Sequence, residues 1–324
     1  MSIAKTIAKT VLHDLGAIQG FRLLHKSDIR ILMYHRFPPG KSDGLTQQCE
    51  LIRRYYNPIS LQAIAEYLRE GKPLPPNPVA ITIDDGYRDF LDAQAILRKF
   101  DIPATVFLVT DFLDGRLWLW FDKLKYALQQ TKQNSLTIDL PASASFTLSL
   151  NSDSDRRAAR EKIGSLMKGL ENSQRISSCE QIVDQLKVEL PASPPEEFAP
   201  LTWDEVRSLA NERVEFGPHT KTHPILSQIV QPELLAEEIL GSKRRIEEEL
   251  KTPAIHFCYP NGRRSDLNDS TLKLVEDGGC HSAVTTERGM NNAQTNPFLL
   301  RRLGVEPSVP LQYFAELLAG VRSE

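Results

Sequence analysis

Seven short runs rich in β-branched and aromatic residues punctuate this chain: 29–34, 79–83, 104–109, 214–216, 255–258, 282–285 and 299–305. Between them lie stretches whose apolar residues recur at helical spacing, among them 60–70, 89–100 and 232–250. Strands that alternate with helices predict a parallel sheet covered by helices. Seven such units suit an irregular (β/α)7-type barrel, with a flat doubly wound sheet as the competing fold.

Three segments interrupt the alternation. Residues 71–78 (GKPLPPNP) form a stiff, proline-rich connector into the second strand. Residues 122–199 are too long for a simple crossover. They follow an aromatic cluster, cross a polar Ser-rich section and end in helical patterns, and read as a mainly helical insertion packed on the barrel. At the N-terminus, Ile3, Ile7, Val11, Leu15 and Ile18 recur at helical spacing beside Lys5, Lys9, Arg22 and Lys26. This amphipathic leader reads first as a helix packed on its own domain, and second as one lying on an anionic membrane surface. The expected division is therefore a leader over 1–28, a barrel from 29–121 and 200–310, the insertion over 122–199 and a C-terminal helix over 311–324.

Composition narrows the classes. With 39 Lys+Arg against 42 Asp+Glu in 324 residues, no basic field exists to gather nucleic acid. No apolar run approaches the roughly 20 residues that span a bilayer. The four cysteines, Cys49, Cys179, Cys258 and Cys280, are scattered without a C-x-x-C pair, and no secretory signal pattern opens the chain. The expected location is cytoplasmic, with the leader as an optional contact to the inner face of the membrane.

Candidate chemistry gathers where strands end. Asp84 and Asp85 follow the second run. An Asp-Gly pair there is usually only a turn, but two adjacent carboxylates repel unless something neutralises one of them. A metal on one would free the other to act as a base. His219 and His223 follow the fourth run in Gly217-Pro218-His219-Thr220-Lys221-Thr222-His223-Pro224, spaced so that both can face one cation. Pro224 keeps His223 out of a helix interior. His35 ends the first run. Tyr259, in FCYPNG, lies in a Pro/Gly turn whose backbone N–H could meet a developing oxyanion. Cys258 reads as core. In a parallel barrel all of these strand ends share one rim, the face on which active sites form.

These residues resemble the polysaccharide deacetylase family, whose members carry a NodB-homology domain. The likeness rests on Thr82-Ile83-Asp84-Asp85-Gly86, on His219 to His223, and on ISLQAIAEYL, PVAITIDDGYRDF, IPATVFLVTDFLDG, LTWDEVRSLA and FCYPNG, and it extends over about residues 29–305. The resemblance implies a barrel of about seven strands and removal of N-acetyl groups from an N-acetylhexosamine-containing saccharide or glycolipid. It implies a divalent metal, zinc first with cobalt, nickel or manganese also compatible, held by Asp85, His219 and His223. It further implies Asp84 as general base, the Tyr259 N–H at the oxyanion and, from the branch with an L-M-Y-H strand, His35 as general acid. Two departures stand out. Ile83 replaces the usual Phe, and the arginine expected just before the oxyanion turn is missing. Arg302 on the last strand is the expected substitute partner of Asp84, with Arg301 as the alternative because strand neighbours face opposite sides.

Trp118, Trp120, Phe121 and Trp203 are candidates for stacking on sugar rings or for core packing. Two other functions compete: a catalytically inactive carbohydrate-binding barrel, and a metal-dependent amide or ester hydrolase acting on a non-sugar substrate. A cytoplasmic location would favour a nucleotide-linked, lipid-linked or soluble N-acetylated sugar over finished polymer.

Overall fold

Near-continuous apolar runs bounded by turn residues become strands buried on both faces. The computed structural model describes residues 16, 18–141, 144–210 and 213–322. Its strands are β1 (Arg30–Tyr34), β2 (Asn57–Pro58), β3 (Pro78–Ile83), β4 (Ala104–Leu108), β5 (Ser135–Ile138), β6 (Phe146–Ser149), β7 (Val214–Pro218), β8 (His256–Cys258), β9 (Ser282–Arg288) and β10 (Leu300–Gly304). Seven of them join in the order β7-β4-β3-β1-β10-β9-β8, every pairing parallel. These are the seven runs expected from the sequence. The two-residue β2, which was not anticipated, pairs with the start of β3.

Strand alternation sorts the side chains into two cores. Val79, Ile81, Ile83, Val106 and Leu108 face outward into the main cluster under the surrounding helices. Ile31, Ala80, Phe107, Val284 and Leu300 form the inner cluster. Leu61 and Ile64 of the helix Leu61–Glu70 join that inner cluster, so this helix plugs the lower mouth of the barrel. Ser60 caps its N-terminus, accepting from Ala63 N at 3.1 Å, and left-handed Gly71 ends it.

The barrel is nearly closed rather than closed. β7 and β8 touch, but no ladder joins them among the described residues. Gly217 makes the close approach feasible: a Cβ there would lie 2.2 Å from the His256 carbonyl oxygen and 2.9 Å from the Phe107 ring. Just above, His219 Nδ1 meets Cys258 O at 2.8 Å and spans the seam.

Residues 120–190 bury a cluster of their own. The helices Trp120–Gln130, Asp153–Met167 and Asn172–Gln185 pack Leu124, Leu128, Ile163, Met167 and Ile182 together. Leu136 and Ile138 complete it from the antiparallel hairpin β5–β6, which occupies the polar, Ser-rich stretch and which the helical reading did not foresee. Of the leader, Ile3, Ile7, Val11 and Leu15 lie outside the described residues. Its described end, 18–24, is helical, exposes Phe21, Leu23 and Leu24, and sets Arg22 over the Tyr55 ring at 4.5 Å. The helix Leu311–Ala319 closes the chain. No helix among the described residues is long and apolar enough to cross a membrane.

Gly217→Ala is expected to destabilise the fold by about 1–3 kcal/mol, because the added methyl meets backbone that cannot yield. Thermal melting followed by circular dichroism measures it; an unchanged midpoint would mean that the β7–β8 seam is more pliable than described.

Candidate active site

The carboxyl ends of five barrel strands bring the predicted residues to one rim, and backbone geometry aims them inward. Asp84 N donates to Tyr34 O at 2.9 Å, extending the β1–β3 ladder by one step. The chain then turns sharply: Asp85 sits at φ 74° and Gly86 at φ 80°. A left-handed aspartate is strained and needs its surroundings to hold it. Here the strain turns two adjacent carboxylates to the same side.

The first carboxylate belongs to Arg302. Its Nη1 and Nη2 reach the two Asp84 oxygens at 2.7 Å each, a bidentate pair buried on both sides. The remaining guanidinium donors are also engaged: Nε with Thr285 O at 2.7 Å, Nη1 with Thr82 Oγ1 at 3.0 Å and Nη2 with Cys258 Sγ at 3.3 Å. Arg301, the alternative partner, is exposed. Burial by itself would raise the Asp84 carboxyl, but the charge and hydrogen bonds of Arg302 outweigh it and hold the group well below the usual carboxylate range. His35 Nε2 lies 3.7 Å from Asp84 Oδ2, with the His35 side chain 44% exposed to the cleft.

The second carboxylate has no such partner. Asp85 Oδ1 is buried without a hydrogen bond among the described residues, and both His219 Nε2 and His223 Nε2 lie 3.5 Å from it. Cys258 O can only accept, so His219 Nδ1 carries the proton and Nε2 presents a lone pair. Burial pulls the His219 pKa down to about 4, and burial followed by the neighbouring His219 pulls His223 well below the ordinary imidazole range. Burial, then Asp84, pushes Asp85 up. The ligand atoms of Asp85, His219 and His223 all lie within 4.8 Å of one another. Donors in a tetrahedral zinc site stand about 3.4 Å apart at bond lengths of roughly 2.1 Å. An orphaned carboxylate oxygen facing imidazole lone pairs at that spacing fits a divalent cation. The neighbouring set Asp84, His219 and Cys258 is equally close. It fits less well, because Asp84 and the Cys258 sulfur are both taken by Arg302.

A residue that sequence reasoning missed holds the histidine loop in shape. Thr220 and His223 are both left-handed (φ 66° and 61°), and His223 N donates to Thr220 Oγ1 at 3.0 Å. The Glu238 carboxylate accepts from Lys221 N at 2.9 Å, Thr222 N at 2.8 Å and Thr222 Oγ1 at 2.5 Å. Glu238 belongs to a π-helical turn, Glu237–Gly241, inside the long run Pro232–Leu250. Such turns re-aim a helix face, here toward the loop between the two histidines. A helical pattern in sequence gives no sign of one.

One expectation needs correction. The N–H of Tyr259 does not point free into the site: it donates to Val284 O at 3.3 Å, continuing the β8–β9 ladder, while the Tyr259 ring is buried and its hydroxyl donates to Phe298 O at 3.2 Å. Two residues on, left-handed Asn261 lines the cleft, and its N–H has no acceptor among the described residues. Gly262 follows at φ 64°, where a Cβ would lie 2.8 Å from Tyr259 O.

These groups lie in a cleft of about 820 Å³ whose far wall is the insertion. Trp120 and Phe121 line it, Phe121 edge-on to His223 at 5.7 Å. Trp118 packs instead with Tyr126 and Phe198, and Trp203 binds Asp114 through Nε1 at 2.7 Å under Arg245. Asp122, unforeseen, also lines the cleft; Tyr87 donates to it at 2.5 Å, and burial pushes its pKa up to about 6.

A nearly closed parallel barrel with a carboxylate pair and two imidazoles on its carboxyl rim defines a NodB-like barrel. Comparisons with known proteins point to one family. Residues 171–283 match the family described as polysaccharide deacetylase. YxkH of Bacillus subtilis (strain 168) is 25% identical over 122 residues, 38% of this chain and 42% of that protein. The poly-beta-1,6-N-acetyl-D-glucosamine N-deacetylase of Escherichia coli (strain K12) is 37% identical over 81 residues, 24% of this chain and 12% of that protein. The chain thus aligns with less than half the length of either curated relative. Among solved structures, IcaB from Ammonifex degensii superposes with a TM-score of 0.58 at 17% identity, covering 90% of this chain and 97% of that one. The Streptococcus pyogenes deacetylase PplD in complex with acetate gives 0.57 at 20% identity, covering 87% and 94%. At such identities the two structures establish the shared fold. The sequence likeness to the polysaccharide deacetylase family thus lies in residues 171–283 and in short aligned stretches, while the fold is shared over most of the chain.

Glu238→Ala is expected to weaken zinc binding roughly 10–100-fold, the usual effect of losing an outer partner of a metal site. Isothermal titration of the metal-stripped protein reads this; wild-type affinity would deny Glu238 its positioning role. Arg302→Met should cost about 3–5 kcal/mol, because it strands a buried carboxylate. Urea unfolding measures that loss, and a variant as stable as wild type would mean Asp84 is neutralised by another group.

Proposed function

We propose that the protein is a divalent-metal-dependent hydrolase that removes N-acetyl groups from an N-acetylhexosamine-containing saccharide, releasing acetate and a free amine. The observation that carries this reading is the orphaned Asp85 oxygen, 3.5 Å from two imidazole nitrogens and one residue from a base held ionised by Arg302. The substrate class is supported by the match of residues 171–283 to the polysaccharide deacetylase family and by the name of the Escherichia coli relative.

Asp85, His219 and His223 would hold the cation, zinc first. A divalent ion there supplies Lewis acidity, which acidifies water and polarises the acetyl carbonyl. Asp84 accepts the proton of the attacking water. Arg302 keeps that carboxylate charged beside Asp85, so the base form is present throughout the physiological pH range. The Asn261 amide, rather than that of Tyr259, donates to the oxygen on which negative charge develops. His35, at the open side of Asp84, protonates the departing amine nitrogen. Trp120 and Phe121 give the sugar an apolar wall.

Asp84→Asn should retain its metal by elemental analysis and lose roughly 10²–10⁴-fold in acetate release, the range for a general base. Full activity in that variant refutes the assignment. His219→Ala should come off the column without metal. Acetate assays over N-acetylated sugars and simple acetyl esters test the substrate class: turnover confined to the esters would replace this reading with a non-sugar hydrolase.

A further inference from the structure

The insertion's contribution to the cleft is cationic. Arg160 and Lys168 reach the lining from the helix Asp153–Met167 and the turn after it, and Arg263 faces the same cleft from the loop after β8. The chain as a whole carries a net charge of −3, so this is a local asymmetry. Several surface arginines are paired: Arg88 with Glu205, Arg116 with Asp114, Arg213 with Asp101, Arg245 with Glu249. Lys125, in the same cleft, is paired with Glu197 at 3.2 Å. Among the described residues, Arg160, Lys168 and Arg263 have no carboxylate within ion-pair distance. Of the acids in that lining, Asp84 is taken by Arg302 and Asp85 lies in the candidate cation site, while Asp122, Glu161 and Asp266 make no ion pair with these three cations among the described residues.

A second observation points the same way. Arg175 is 1% exposed and has no acidic partner. Its Nη2 donates to Asn172 Oδ1 at 2.7 Å, its Nε has no partner among the described residues, and its guanidinium lies 6.0 Å from the ring of Trp120, itself a lining residue. A buried cation lacking a counter-charge is destabilising, and a nearby anion relieves it.

We propose that this wall is a subsite for an oxyanion carried by the saccharide itself, with Arg160, Lys168 and Arg263 gripping a phosphate or carboxylate while the acetamido group lies at Asp84 and His35. Arginine forks and a lysine ammonium suit such groups, and their charge-assisted bonds are the strong ones. Arg175 stands behind Trp120 and deepens the positive potential without touching the anion. The inference rests on the deacetylase reading for the acetamido group and is independent of it for the anion.

The test compares kcat/KM of the zinc-loaded full chain on N-acetylglucosamine 1-phosphate, on a disaccharide of N-acetylglucosamine and glucuronic acid, and on neutral di-N-acetylchitobiose. An anionic substrate should be preferred by roughly tenfold or more, and Arg160→Ala with Lys168→Ala should reduce that preference by about tenfold. Raising salt to about 0.5 M should narrow it as well. Preference for the phosphate or for the uronate identifies which oxyanion is natural. Equal handling of neutral and anionic sugars, or a preference untouched by the double variant, overturns the proposal. Both side chains lie at the surface, and thermal melting checks that the variant is folded. If no substrate yields acetate, the deacetylase reading fails while the subsite remains testable by calorimetry. Tighter binding of N-acetylglucosamine 1-phosphate than of N-acetylglucosamine, lost in the double variant, upholds the subsite; equal binding overturns it.

Discussion

Two carboxylates buried side by side at the exit of β3 repel one another, and the rim of this barrel is organised around that conflict. One half of the answer is inside the protein: Arg302 pairs with both oxygens of Asp84 and has every donor occupied by the barrel wall. The other half is left open. Asp85 faces the lone pair of His219 and the Nε2 of His223, an arrangement that fits a cation among the three. Division of labour between the two aspartates follows from this asymmetry of partners.

The seam of the barrel serves the same centre. A full β7–β8 ladder would place those two strands at ordinary sheet spacing. Instead Gly217 lets them touch, and the bridge from His219 to the Cys258 carbonyl fixes the imidazole's tautomer along with its position. Closing the barrel and preparing the ligand are one interaction. On the opposite side of the histidine loop, Glu238 ties down two amides and a hydroxyl of Lys221 and Thr222, the residues between the left-handed Thr220 and His223, which are themselves joined by a hydrogen bond. With the lower mouth plugged by the helix Leu61–Glu70, the rim is the face on which a substrate can approach.

The insertion decides what that substrate meets. Its own apolar cluster lets it fold as a unit beside the barrel, and its first helix brings Trp120, Phe121 and Asp122 to the cleft. Barrel residues supply the candidate catalytic groups, while the shape and charge of the far wall come from a segment that the strand-helix alternation does not require.

Much of the candidate site was legible in the amino-acid sequence because it is locally encoded. Seven apolar runs became the seven barrel strands, since burial on both faces demands such runs. The Asp84-Asp85 pair and the His219 to His223 spacing are contiguous motifs at strand ends, which a parallel barrel must gather on one rim. What only the tertiary structure decided depends on groups far apart in the chain. Whether Arg301 or Arg302 faces inward is set by the phase of β10 against its neighbours. Whether the Tyr259 or the Asn261 amide is free depends on which of them β9 claims as a ladder partner. Glu238 reaches the histidine loop only through a π turn, and the hairpin β5–β6 exists because the insertion's helices offer its Leu136 and Ile138 a place to be buried. Sequence alone determined the strands and the reactive pairs, because each is defined by adjacent residues; pairing and packing determined the rest, because hydrogen-bond partners and burial are properties of the assembled fold.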